Sequence, residues 1–260
     1  MVEIHTHILP GIDDGASDWE TSVQLARSAA EQGVTDIIAT PHHRTNRFMN
    51  PAAEVVSLTG KLNARLEAEG VPVNVHPGQE VHVHRELLSN WQNGELLSLA
   101  GGPYMLLEMP HGHVPDYMES IVYELQLAGV CAVIPHPERN AEVARDPDKL
   151  VRLVELGALA QVTSASLLGG YGKGVERLSW QLCRQGLIHF VSSDAHHPER
   201  RGVCLAEAYA RVEQTLGAEW AGYYRSNAAA LLAGSEIQDA PLPVATRPSG
   251  WKRLRRLFIR

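Results

Sequence analysis

The 260-residue chain alternates short apolar segments with longer segments of helical periodicity, and this alternation restricts the fold more than any other feature. Parallel strands need a crossover connection of about a helix in length, so repeated strand, helix, strand predicts a parallel sheet. At this length a closed (β/α) barrel is favoured over an open sheet. No Gly-rich nucleotide fingerprint follows the first segment, which argues against a dinucleotide fold. The seven predicted strands are MVEI, VTDIIAT, VNVHPG, YMLLEM, CAVIPH, LAQVTS and IHFVSS.

The segments between the predicted strands carry helix start and stop signals. Ser17 with Glu20 three residues later predicts a capping box, and Gly33 predicts the end of the same helix. Hydrophobic residues make up 44% of the chain and charged residues 20%, which is enough apolar material for a sizeable ordered core. No secretory signal pattern and no apolar run near 20 residues is present, so we expect a cytoplasmic protein.

Ionisable residues follow almost every predicted strand. In (β/α) barrels the active site lies at the C-terminal ends of the strands, so these side chains are expected to surround one mouth. His5 and His7 are two residues apart, a spacing that puts both side chains on one side of an extended chain. The candidates are five histidines and four carboxylates: His5, His7, Asp14, His42, Glu80, Glu108, His136, Asp194 and His196.

This combination of residue types predicts metal ions. Each residue alone is better explained as an ordinary hydrogen-bonded loop side chain, but four carboxylates around one mouth would repel each other unless cations neutralised them. Imidazole and carboxylate ligands without thiolate suit Mn, Fe, Zn or Ni. Nine protein ligands are too many for one ion, so a site with two or three metals is expected.

The three cysteines do not indicate a catalytic or structural role. Cys131, Cys183 and Cys204 form no C-x-x-C pair, which argues against a disulfide framework and a cysteine zinc site. None of them begins the C-x5-R loop of a cysteine-dependent phosphatase, because Pro137, His189 and Ala210 occupy the arginine position.

The successive motifs resemble those of the PHP (polymerase and histidinol phosphatase) superfamily. The motifs are HTH after the first strand, DDG, TPHH, GQE, LLEM, PHPER and SSDAHH. Within the superfamily, their order and spacing are most similar to the manganese-dependent bacterial tyrosine-protein phosphatases of capsule and exopolysaccharide operons. The similarity extends over residues 1–233.

The resemblance implies a distorted (β/α)7 barrel with three divalent metal ions, Mn first and Fe, Zn, Ni or Co as alternatives. The first ion would be held by His5, His7, Glu80 and Asp194. Glu80 would bridge to a second ion on Glu108 and His136, and the third would be held by Asp14, His42 and His196. Arg139 and Arg201 match phosphate-binding positions of the family, although the neighbouring Arg200 could take the place of Arg201.

The activity implied by the resemblance is hydrolysis of protein phosphotyrosine, on the tail of a membrane-associated bacterial tyrosine kinase that controls exopolysaccharide synthesis. A phenolate leaving group has a pKa of about 10 and departs with little help from a general acid. His111, His113 and His197 are loop candidates for such an acid. The alternatives are a histidinol-phosphate or other small-molecule phosphatase and a metal-stabilised binding module without catalysis. We expect no nucleic-acid partner.

The chain beyond the phosphatase domain of residues 1–233 divides into two parts. Residues 234–250 are rich in Pro and small residues and predict a flexible linker. Residues 251–260, WKRLRRLFIR, hold five basic residues and no acid, with Leu254, Leu257 and Phe258 on one helical face. This pattern predicts a basic amphipathic tail that contacts anionic lipid, or alternatively a charged terminus that packs on the acidic barrel.

Overall fold

A computed structural model describes residues 1–241 of the chain. Within them the chain forms nine strands: β1 (Val2–Thr6), β2 (Asp36–Ala39), β3 (His42–His43), β4 (Asn74–Pro77), β5 (Glu80–His82), β6 (Tyr104–Glu108), β7 (Cys131–Pro135), β8 (Leu159–Thr163) and β9 (Phe190–Ser192). Ten α-helices connect or follow them: α1 (Trp19–Glu31), α2 (Ala52–Ala68), α3 (Leu87–Gln92), α4 (Met118–Leu127), α5 (Ala141–Arg145), α6 (Asp148–Glu155), α7 (Ser164–Leu167), α8 (Lys173–Arg184), α9 (Leu205–Leu216) and α10 (Ala218–Leu232).

The strands form two parallel sheets, in the orders β1-β2-β4 and β3-β5-β6-β7-β8-β9. An isolated parallel bridge between Thr6 and Ala195 links the end of β1 to the segment after β9. The prediction of an α/β fold with parallel strands is therefore confirmed. All seven predicted segments contain a strand, and two further short strands, β3 and β5, follow β2 and β4 after brief interruptions.

The interruption between β4 and β5 consists of Gly78 and Gln79. A Cβ atom on Gly78 would lie 2.9 Å from Cγ2 of Ile38, so a larger residue would have to displace the Ile38 side chain. The next residue, Gln79, turns its side chain away from the ladder: its amide donates to the Asn50 carbonyl at 2.7 Å and accepts from the Leu97 N–H at 2.7 Å. Pairing resumes at Glu80, which lies opposite His42 of β3.

Both faces of the sheet are buried, as expected for parallel strands covered by helices. In β6, Tyr104 and Leu106 belong to one apolar cluster, and Met105 and Leu107 belong to the other. This division follows the two-residue period of a strand. The two apolar layers hold the strands in register, so that their C-terminal ends meet in one region.

One helix start differs from the prediction. Asp18, and not Ser17, caps α1: its carboxylate accepts from the Thr21 N–H at 2.8 Å. The Ser17 hydroxyl donates to the Asp18 carboxylate at 3.0 Å instead. A carboxylate at this position also interacts favourably with the positive end of the helix dipole, which explains why Asp18 takes the role. Gly33, with φ of 81°, lies beyond the helix end as predicted.

The described chain ends in an irregular segment. After α10, residues 235–241 form neither helix nor strand, and the Tyr104 hydroxyl donates to the Ser235 carbonyl at 2.6 Å. Most of the predicted linker 234–250 and the whole predicted tail 251–260 lie outside the described residues. No helix within residues 1–241 is long and apolar enough to cross a membrane.

Candidate metal centre

The nine predicted ligand residues converge at the C-terminal ends of the strands around a cavity of about 90 Å³. Seven of them line the cavity, together with Arg139, Arg201 and His111. The other two, His5 and His7, lie behind it against Glu80 and Asp194, with N–O distances of 3.3 to 3.4 Å. Eight of the nine side chains are at least four-fifths buried; Asp14 is 45% exposed.

Glu80 contacts four histidines of the cluster. Its Oε2 atom lies 3.4 Å from Nε2 of His5, 3.3 Å from Nε2 of His7 and 3.0 Å from Nδ1 of His42. Its Oε1 atom forms a 2.8 Å hydrogen bond with Nε2 of His136. Oε2 and the three histidine nitrogens around it are buried, yet none has hydrogen-bond geometry with a partner.

Buried polar atoms that lack partners and point at one another are what a cation site presents without its ion. The donor atoms form four groups, and within each group all atoms lie within 4.8 Å of one another. Several residues belong to more than one group. The groups are His7, Asp14, His42 and His196; His5, His7 and Glu80; His5, His136 and Asp194; and His42, Glu80 and Glu108. The donor set therefore fits several divalent cations at adjacent positions.

Unusual backbone geometry aims two of these residues at the cavity. His136 has φ of 38° and Asp194 has φ of 54°, both in the left-handed region. For residues with a Cβ atom this region costs about 1–2 kcal/mol each. Such strain persists where the surrounding structure fixes the conformation, and it is typical of functional sites. Here it turns each side chain off the end of its strand.

A second layer of polar residues orients the histidines, and the sequence did not predict it. Oδ2 of Asp13 lies 2.7 Å from Nδ1 of His7. The amide oxygen of Gln161 lies 2.9 Å from Nδ1 of His5. These contacts leave Nε2 of both imidazoles facing Glu80 and Asp194, the arrangement that orients histidine ligands in metal sites. The available signals were the paired aspartates of DDG and a buried glutamine in the middle of β8.

Gly15 allows the first loop to approach His7. A Cβ atom at Gly15 would lie 2.4 Å from the Cβ of His7 and 2.1 Å from its carbonyl oxygen. The Gly15 N–H donates to Oδ1 of Asp13 at 2.9 Å, and this bond holds the carboxylate against the imidazole. The glycine of DDG is therefore required sterically, and its neighbour Asp14 reaches the cavity from the same turn.

Glu3 is a second buried carboxyl that the sequence did not single out. It is a residue of β1, and its carboxyl accepts from the His5 N–H at 3.0 Å, from the Ser193 N–H at 2.9 Å and from the Ser192 hydroxyl. Burial raises the pKa of this carboxyl to about 7. Glu3 thus joins β1, which carries His5, to the C-terminal end of β9.

The two predicted phosphate-binding arginines share one acceptor. Nη2 of Arg139 and Nη2 of Arg201 each lie 2.8 Å from Oδ2 of Asp194. The Nε atom of each guanidinium is buried and has no hydrogen-bond partner. Arg200, the alternative to Arg201, is exposed and does not line the cavity. Of the three loop histidines, His111 lines the cavity, whereas His113 and His197 do not.

The electrostatics of the cluster favour charged carboxylates. Burial alone would raise the pKa of the Glu80 and Asp194 carboxyls. The charge on His5 and the other neighbouring charges and hydrogen bonds together outweigh burial, and both pKa values lie well below their usual range. Burial likewise opposes charge on His5 and His7, but neighbouring carboxylates raise the pKa of both imidazoles. Histidine binds a metal ion in its neutral form, so metal binding at His5 and His7 is coupled to their deprotonation.

Comparison with known proteins identifies the family of this chain. The family model described as capsular polysaccharide synthesis, CpsB/CapC, matches residues 1–233. The chain is 43% identical over 248 residues to the tyrosine-protein phosphatase YwqE of Bacillus subtilis (strain 168), covering 95% of this chain and 98% of YwqE. It is 35% identical over 209 residues to the putative tyrosine-protein phosphatase CapC of Staphylococcus aureus, covering 80% of this chain and 82% of CapC.

A solved structure of YwqE shares the fold. YwqE and CpsB from Streptococcus pneumoniae, whose crystal structures were solved together, are described as unique metal-dependent tyrosine phosphatases. The YwqE structure superposes with a TM-score of 0.91 at 43% identity, covering 95% of this chain and 100% of the YwqE chain. The chain therefore belongs to the CpsB/CapC family of capsular polysaccharide synthesis.

Proposed function

We propose that this protein is a metal-dependent phosphatase that hydrolyses phosphotyrosine in proteins of capsular or exopolysaccharide synthesis. The observation that carries the proposal is the convergence of nine imidazole and carboxylate side chains, with two arginines beside them, on one small cavity. The proposal also draws on the relatives, which are named tyrosine-protein phosphatases. The substrate protein would be a membrane-associated tyrosine kinase.

The cofactor in this proposal is a set of three divalent ions, with Mn first. His5, His7, Glu80 and Asp194 would hold one ion, and Glu80 would be shared with a second on Glu108 and His136. The third would be held by Asp14, His42 and His196. Three ions are favoured over one because the nine side chains form four donor groups of different membership, which overlap at shared residues. His42 also groups with Glu80 and Glu108, so it lies between two of the proposed positions.

The chemistry divides between the cofactor and the arginines. Bound divalent ions lower the pKa of water to about 7 and neutralise charge that develops on a phosphoryl group. Arg139 and Arg201 approach the cavity from one side, each with an unpartnered Nε atom. Guanidinium groups bind phosphoryl oxygens through two parallel hydrogen bonds, so these two side chains would orient the phosphoryl group. Asp194 fixes both arginines through Oδ2.

The leaving group distinguishes the proposed substrate from the alternatives. Turnover of phosphotyrosine, phosphoserine and histidinol phosphate should be measured side by side, with and without added Mn. We expect phosphotyrosine to be hydrolysed fastest, because its phenolate leaves with little protonation. Faster hydrolysis of histidinol phosphate would favour a small-molecule phosphatase instead, and no turnover of any ester would favour a binding module.

Two features of the chain extend this proposal. We infer that the two parallel sheets form one distorted (β/α)7 barrel, with the bridge between Thr6 and Ala195 supporting its closure. We further infer that the enzyme acts in the cytoplasm at the inner face of the membrane, where the basic tail 251–260 would bring it near its substrate. Equal sedimentation with anionic vesicles of the full chain and of a chain ending at Gly250 would contradict the membrane contact.

A further inference from the structure

The size of the cavity limits what part of a substrate it can hold. Its volume is only about 90 Å³. Sites that enclose a whole small molecule measure about 300 to 1,000 Å³. Every residue that lines the cavity is charged or polar, which suits a phosphoryl group and does not suit a hydrocarbon ring. If the proposed function holds, the ring of phosphotyrosine must therefore lie outside the cavity, on its rim.

One aromatic residue lies on the rim beside His42. The ring of Phe48 is almost parallel to the His42 imidazole, with an interplanar angle of 8° and a centroid distance of 5.9 Å. His42 lines the cavity, and Phe48 is half-buried beside it. The guanidinium carbon of the exposed Arg47 lies 5.3 Å from the Phe48 ring centroid.

The loop that carries Phe48 is fixed at both ends. The Phe48 N–H donates to the Thr45 hydroxyl oxygen at 2.9 Å. The buried Asn50 amide donates to the carbonyl oxygens of His42 at 2.8 Å and of Ile12 at 3.0 Å. The ring is therefore held at a defined position on the rim and does not depend on substrate to be placed there.

A second aromatic residue lies on the rim beside Arg139. Tyr171 belongs to the sequence GGYG that follows α7, and it is half-buried. The Arg139 guanidinium carbon lies 5.3 Å from the Tyr171 ring centroid, and Nη1 of Arg139 donates to the tyrosine hydroxyl at 3.4 Å. Arg139 lines the cavity, so Tyr171 borders the same mouth at a different point from Phe48.

We propose that Phe48 and Tyr171 form an aromatic rim that contacts the phenyl ring of the substrate and makes the enzyme select aryl phosphates over alkyl phosphates. This inference rests on the proposed function. Aromatic rings attract one another through offset-stacked and edge-to-face contacts beyond the effect of area burial. A phosphoserine side chain has no ring and cannot make these contacts, so the rim discriminates between substrates that bind the cavity in the same way.

The test compares ligands with and without a ring. Phosphotyrosine is compared with acetyl phosphate, a ringless acyl phosphate (a mixed anhydride) with a good leaving group, as substrates of the Mn-loaded enzyme. Phenylphosphonate is compared with methylphosphonate as competitive inhibitors. The variants are Phe48→Leu and Tyr171→Leu, the ring-preserving controls Phe48→Tyr and Tyr171→Phe, and Tyr123→Leu as a control at an exposed tyrosine of α4. Bound metal is measured for each.

In Phe48→Leu and Tyr171→Leu, we expect the ratio of kcat/KM for phosphotyrosine to that for acetyl phosphate to fall about 5- to 10-fold, mainly through KM. The preference for phenylphosphonate over methylphosphonate should fall by a similar factor. The ring-preserving variants and Tyr123→Leu should keep both ratios.

Unchanged ratios in both leucine variants would overturn the inference. An equal loss in Tyr171→Phe would also overturn it for Tyr171, because the hydroxyl contact with Arg139 would then be responsible. A wild-type enzyme that hydrolyses acetyl phosphate and not phosphotyrosine would contradict the proposed function. The inhibitor comparison would still decide whether the rim contacts a ring.

Discussion

Asp13 is expected to control metal affinity although it is not one of the proposed ligands. Its Oδ2 atom lies 2.7 Å from Nδ1 of His7 and accepts from the His42 N–H at 3.1 Å, and its Oδ1 atom accepts from the Gly15 N–H at 2.9 Å. Burial raises the pKa of the Asp13 carboxyl, but the charge and hydrogen bond of His7, together with the N–H donors of Gly15 and His42, outweigh burial. The pKa is therefore lowered, and Asp13 is ionised at neutral pH.

The structure gives the size of the effect. Asp13→Ala leaves Nδ1 of His7 and two backbone N–H groups without this acceptor, at about 1–3 kcal/mol for each buried group left unsatisfied. The imidazole also loses the contact that sets its tautomer and ring orientation. Loss of such an outer partner lowers metal affinity or activity by about 10- to 100-fold in known metal sites. Asp13→Asn keeps one acceptor oxygen and should lie between alanine and wild type.

The assay is a titration of the metal-free protein with Mn, followed by competition with a metal-sensitive dye, together with kcat/KM at saturating Mn. Asp116→Ala is the matched control, because this aspartate side chain is 84% exposed and pairs only with a surface arginine. We expect weaker Mn binding for Asp13→Ala and unchanged binding for the control. Equal Mn affinity and equal kcat/KM in Asp13→Ala and wild type would refute the role of Asp13.

The remaining predictions concern the ions, the arginines and Glu3. Exhaustive chelation should abolish phosphatase activity and added Mn should restore it; full activity of chelated, desalted protein would disprove the metal requirement. His136→Ala or Asp194→Ala should remove both the bound metal and turnover. Arg139→Ala or Arg201→Ala should keep the metal but lower kcat/KM by about 30- to 1,000-fold. Wild-type kcat/KM in the arginine variants would contradict their role. The pKa of Glu3 is about 7 in the folded protein and 4.5 in the unfolded chain, so the folded state loses stability as the pH rises. The free energy of unfolding of metal-free wild type, relative to that of Glu3→Gln, should therefore fall by about 3 kcal/mol from pH 4 to pH 8 when measured by urea unfolding. A difference between the two proteins that does not change with pH would contradict this prediction.

The sequence predicted the strands well and their interruptions poorly. Each of the seven apolar segments contains a strand, because apolar β-branched runs between helices have few other solutions in a parallel fold. The break before Glu80 depends on contacts between distant segments. Gly78 packs against Ile38, and Gln79 bonds Asn50 and the chain near Leu97. No local pattern encodes these contacts.

The site was predictable where residue type and strand position both point to the same chemistry. Histidine and carboxylate at the ends of parallel strands meet at one edge, and all nine predicted residues do so. Asp13 was missed because an aspartate in a DDG turn has a common structural explanation. Gln161 was missed because it lies in the middle of β8 and not among the residues that follow a strand. Only the distances of 2.7 and 2.9 Å to the two histidines give them a role.

Asp194 joins the two halves of the site, and its geometry explains why metal and phosphate binding should depend on each other. Oδ1 faces the imidazoles of His5 and His7 at 3.4 and 3.3 Å, and Oδ2 accepts from Arg139 and Arg201 at 2.8 Å each. The backbone at Asp194 is in the left-handed region, with φ of 54°. A cation on the Oδ1 side withdraws charge from the same carboxylate that holds the guanidinium groups. Metal binding should therefore loosen the contact of the arginines with Oδ2 and free their N–H groups for the phosphoryl oxygens.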